Sequence, residues 1–153
     1  MNWNVKDIEL FETEKEYIDT AVIPMIPVDF INDIKSSAAQ TEFISLLTLH
    51  LERQFKGRMM ITPPFTYLMG TNEGKTGEVQ EWETRMKESG VKHVFFLTSD
   101  SEWKKSEQAF NDQLIWIPSI PLEHLDEQYK HSIMEDQVKQ LLNVIVQKWQ
   151  KNS

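Results

Sequence analysis

Short apolar runs alternate along this chain with longer stretches in which apolar residues recur every three or four positions. That alternation constrains the fold more than any other feature. The runs Ala21–Val28, Arg58–Thr62, His93–Leu97 and Leu114–Ile117 are too short for packed helices and read as strands. His93-Val94-Phe95-Phe96-Leu97 is nearly continuous in apolar residues, as expected of a strand covered on both faces. Pro63-Pro64 interrupts the second run, and Phe65 to Leu68 is a candidate resumption of it. Around these strands the helical period predicts elements over residues 5–16 behind an Asn4 cap, Ser37–Phe55, Gly77–Ser89, a short helix from Asp100 to Phe110, and Ile133–Gln150. The last places Met134, Val138, Leu141, Leu142, Ile145 and Trp149 on one stripe. This order predicts an α/β fold: a three-layer sandwich with a mainly parallel four-stranded sheet and helices on both faces, joined by right-handed crossovers.

The 153 residues suit one domain spanning residues 1–153, since a chain of this length buries roughly two-thirds of its extended surface in a single core. A formal charge of −8 with scattered basic residues argues against nucleic acid, whose phosphates need clustered Lys and Arg. It argues equally against anionic lipid. No cysteine is present, which removes disulfides, thiolate nucleophiles and cysteine metal sites. The histidines His50, His93, His124 and His131 include no pair at the i, i+4 spacing of a helical zinc site, so neither metal nor cofactor is implied. No apolar segment approaches the roughly 18 residues that span a bilayer, and Met1 to Asp7 shows no basic region followed by an apolar run. The expectation is a cytoplasmic protein without membrane insertion.

All six prolines fall in three places: Pro24 and Pro27, Pro63 and Pro64, Pro118 and Pro121. Ile23-Pro24-Met25-Ile26-Pro27-Val28-Asp29 parallels Ile117-Pro118-Ser119-Ile120-Pro121-Leu122-Glu123 at every position but the third. Proline donates nothing to a strand ladder, so each pair is expected to end pairing and hold the chain extended as it leaves the sheet. Strand termination explains the placement by itself. The functional reading adds a rigid rim around a cleft at the carboxyl ends of the strands, carrying Asp29, Thr62, Asp100 and Glu123.

Gly70 to Thr76 ends Gly74-Lys75-Thr76 ahead of a helix, which invites a phosphate loop, but Gly70 and Gly74 enclose three residues where a P-loop needs four. A surface turn fits better. Asp100 follows an apolar strand like a magnesium-binding acid, yet its position before Ser101 and Glu102 is more simply that of a helix cap. Ser99 lacks the glycine-flanked elbow of a nucleophile. Glu123-His124 and Asp126-Glu127 gather an imidazole and three carboxylates, a pattern typical of a solvated acidic loop. Trp82, Trp116 and Trp149 fall on core-facing positions, whereas Trp3 and Trp103 are free to line a surface groove or meet a partner.

The blocks Glu16 to Pro27, Phe96-Leu97-Thr98-Ser99-Asp100 and Trp116 to His124 together resemble the YpiF-like family of small Bacillus-type proteins. The resemblance implies a Gram-positive cytosolic protein and transfers no catalytic residue. The opening strand, helix and second strand also look like the first βαβ unit of assembly domains such as the N-terminal domain of TolB, a generic pattern that points toward protein interaction. Two functions remain in view. One is a non-enzymatic protein-interaction or regulatory module whose partner is another protein, met through Asp29, Thr62, Asp100, Trp103, Glu123 and His124. The alternative is a small-molecule or nucleotide-binding enzyme at the strand ends. No catalytic acid, base and nucleophile set supports the second.

Overall fold

The computed structural model describes residues 1–151. Helix α1 (Val5–Thr13) leads into β1 (Thr20–Val28), α2 (Ile34–Gln54), β2 (Met59–Ile61), β3 (Phe65–Leu68), α3 (Thr76–Glu88), β4 (His93–Thr98), β5 (Leu114–Trp116) and α4 (Glu127–Lys151). Two 3₁₀ segments, Asn72–Lys75 and Ser101–Phe110, complete the connections. Every strand pairing is parallel, and the sheet runs β2-β1-β4-β5, with β3 following β2 along the same edge of β1. The expected second strand is thus two strands in line, divided at Pro63-Pro64.

Side-chain alternation along the strands separates two cores. Val22, Ile26, Phe95, Leu97 and Ile115 pack against α2 and α4 on one face. Ala21, Ile23, Met25, Phe96 and Leu114 pack against α1, α3 and the Ser101–Phe110 segment on the other. Helices therefore cover both faces, which is why β1 and β4 are apolar at successive positions. In α4 the inward stripe is Met134, Val138, Leu141, Ile145 and Trp149, with Leu142 only half-buried on its flank. This helix begins at Glu127, six residues before the expected start at Ile133, because Asp126 accepts a hydrogen bond from the Tyr129 N–H (2.8 Å) and caps it. Asp126 and Glu127 are a helix start rather than part of an acidic loop.

The prolines of β1 depart from expectation. Pro24 and Pro27 lie inside the central strand instead of ending it. The Val22 carbonyl accepts from the Thr62 N–H (3.1 Å) and the Val28 carbonyl from the Met69 N–H (2.8 Å), so even-numbered residues of β1 turn their backbone groups toward β2 and β3. Pro24 consequently faces the break between Ile61 and Phe65, where the ladder along this edge is itself interrupted. Pro27 faces the β4 side, beyond the Thr98 end of that strand. Each missing N–H falls where the neighbouring strand has stopped. Pro63, Pro64, Pro118 and Pro121 do follow strand ends, as the rule for proline requires.

Candidate functional site

The chain turns from β2 on one side of β1 to β4 on the other, so the loops after β1 and β4 diverge at the point where open α/β sheets place their ligands. Asp29 and Asp100 stand at the heads of these two loops. Asp29 Oδ1 accepts from the N–H groups of Ile31 (3.0 Å) and Asn32 (3.1 Å), and Oδ2 from that of Asp33 (3.0 Å). Those donors hold its carboxyl below the usual 3.8. Ser37, buried in the first turn of α2, donates to the Pro27 carbonyl (2.8 Å) and accepts from the Asp29 N–H (3.0 Å). The five-residue turn is thereby clamped at both ends.

That clamp displays apolar side chains to water. Phe30 is 70% exposed and Ile31 87%, with Ile34 at the start of α2 and Leu68, the register partner of Val28, also exposed beside them at the same end of the sheet. Burial of apolar surface is worth roughly 25 cal/mol per Å², so holding these side chains in water forgoes that stabilisation.

Asp100 turns inward. Its Oδ1 caps the 3₁₀ segment through the Glu102 N–H (3.0 Å), while Oδ2 accepts from the Tyr67 hydroxyl (2.5 Å) and the Asn72 amide (3.0 Å). The Tyr67 oxygen in turn accepts from Trp103 Nε1 (2.7 Å). Burial, followed by the Asp100 hydrogen bond and charge, pushes the Tyr67 phenol well above its ordinary value. Trp103 is completely buried, so the expectation of a surface position for it is corrected: its indole N–H found a buried partner, and its ring packs edge-on against Tyr67 and Phe110. Ser99, at the end of β4, is buried with its Oγ unpartnered.

The four rim residues do not converge on one cleft. Thr62 lies on the α1/α3 face and donates its hydroxyl to the Pro63 carbonyl (2.9 Å). Glu123 lines grooves on the α2 face and pairs with Lys35 (3.0 Å). His124 stands in solvent in a left-handed turn, φ 67°. Lys75 pairs with Glu78 (3.8 Å), and the Asn72–Lys75 turn runs straight into α3 without the wide loop that wraps a phosphate.

A cavity of about 460 Å³ opens between α1 and α3, with Ile8, Phe11, Met60, Trp82 and Met86 as walls and floor and the half-exposed Trp3 at its mouth. Lys15, Arg85 and Glu12 also line it. Across the α2–α4 seam the His50 and His131 rings lie 5.7 Å apart, with His131 Nε2 3.0 Å from Glu135; burial first, then Arg53 and His131, lowers the His50 pKa. Spacing along the chain gives no sign of a pair split between two helices. Among the described residues, no group of three or more His, Cys, Asp or Glu side chains is arranged to hold a metal ion, and no helix is long and apolar enough to cross a membrane.

The comparisons with known proteins follow the whole chain rather than one site. No solved structure matches. The uncharacterized protein YpiF of Bacillus subtilis (strain 168) is 38% identical over 149 residues, covering 97% of this chain and 98% of that protein. A family model described as "Protein of unknown function (DUF2487)" matches residues 9–149, so the chain belongs to the DUF2487 family.

Proposed function

We propose that this chain is a non-enzymatic, cytosolic protein-interaction module that grips another protein through the loop after β1. One observation carries the reading: three backbone N–H groups bound by the Asp29 carboxylate fix a turn that holds Phe30 and Ile31 in water. A pre-ordered loop loses little conformational entropy on binding, and Ile34 and Leu68 extend its apolar contact. The net charge of −8 supports a protein partner over a membrane or nucleic acid. The hydroxyls and carboxylates near the strand ends favour a module over an enzyme: Thr62 donates to a backbone carbonyl, and both oxygens of Asp100 are taken by neighbours.

The test is co-purification from the native host, comparing the natural chain with a Phe30→Ser/Ile31→Ser double variant. Both positions are exposed, so the thermal midpoint should stay within a few degrees. A protein retained by the natural chain should be lost from the variant. Retention by both would remove the loop as the docking surface.

A further inference from the structure

The cavity between α1 and α3 shares no residue with the docking loop, and its chemistry points elsewhere. We infer that it is a binding site for a small amphipathic carboxylate, an aliphatic or aromatic body carrying one negative charge. Its volume of about 460 Å³ falls in the range of small-molecule sites, roughly 300–1,000 Å³. Phe11 and Met60 are buried, so the cavity reaches the core, while Trp82 and Met86 on α3 and Ile8 on α1 form apolar walls. Trp3 keeps more than half its surface in water beside this apolar space, where an occupant would cover it.

The polar groups of the lining select the charge. Thr62 and Ser89 donate their hydroxyls to the carbonyls of Pro63 (2.9 Å) and Met86 (2.6 Å), leaving little for a neutral polar ligand. Two cations stand in the lining against one acid, Glu12, in a protein whose net charge is −8. Lys15 is exposed, and among the described residues no carboxylate lies within 4 Å of its ammonium. Arg85 gives its Nε–H to Glu81 (2.7 Å) and also feels the Glu88 charge, while among the described residues its two terminal nitrogens make no hydrogen bond. A carboxylate at the mouth would meet both cations while its body displaced water from apolar walls.

Decanoate, decanol and decylamine, each below its aggregation concentration, are suitable probes because they differ only in the head group. Isothermal titration of the full chain should give saturable decanoate binding, with decanol weaker by about five- to tenfold and decylamine weaker still. Lys15→Glu and Arg85→Glu, both at exposed positions that tolerate change, should each lower decanoate affinity by about five- to tenfold and leave decanol unmoved. Tryptophan emission should respond to decanoate, and a Trp3→Phe/Trp82→Phe variant should bind but lose that response. Three outcomes overturn the assignment: no saturable decanoate binding, equal affinity for the amine, or an emission change that survives the double tryptophan variant.

Discussion

Asp100 and Tyr67 illustrate how much depends on single polar atoms in this chain. The Tyr67 hydroxyl is both the donor to Asp100 and the acceptor of the Trp103 indole N–H, all of it buried. Tyr67→Phe would strand the indole donor and remove one of the donors that neutralise the carboxylate. Leaving buried polar groups unpaired costs about 1–3 kcal/mol, so the urea midpoint should fall clearly, whereas Tyr129→Phe at an exposed position should not move it. The cap at Asp100 is readable from Thr98-Ser99-Asp100-Ser101, because capping is local. Its bonds to Tyr67 and Asn72 are not, since those residues come from the far side of α3 in sequence. Phe30 and Ile31 are hidden for a related reason: apolar residues beside a buried strand resemble core, and only the tertiary fold reveals that nothing covers them.

Among the elements, α4 is fastened at its carboxyl end to the amino ends of β1 and β2. Trp149 donates to Thr20 Oγ1 (2.8 Å), and the Arg58 guanidinium stacks 3.5 Å over its ring while pairing with Asp19 (2.9 Å). Burial raises the Asp19 carboxyl, but hydrogen bonds from Arg58 and Thr20 and the nearby positive charges outweigh it and leave the pKa lowered. Leu141→Ala should therefore cost about 2–5 kcal/mol in chemical denaturation, and Lys139→Ala on the solvent side no more than about 0.5. The stripe that marks α4 is legible from spacing alone. Its true start is not, because Glu127 to Ser132 lack apolar periodicity and only the Asp126 cap announces the helix. The 3₁₀ character of Ser101–Phe110, broken at Ser106, is equally silent in the sequence.

Across the whole molecule, the alternation of apolar runs and helical periods was enough to reveal a parallel sheet between two helical layers, because each strand's burial on both faces writes itself into consecutive apolar residues. The split of the second strand is marked locally by Pro63-Pro64, whereas strand order depends on pairing, which leaves no local mark. With β1 paired on both sides and β4 beside it, native-state hydrogen exchange should be slowest at Val22, Ile23 and Phe96, and much faster in α1 and the Asn72–Lys75 turn. The prolines of β1 carry a last consequence. Pairing in a parallel sheet of uniformly apolar strands is weakly policed by side chains, since a slide of two residues keeps the same faces inward. In β1 such a slide would set a proline nitrogen against a carbonyl that now has a donor, and would waste a true N–H on the gap at Pro63-Pro64. The prolines and the gap thus work as key and ward, admitting one alignment of the central strand and penalising its neighbours.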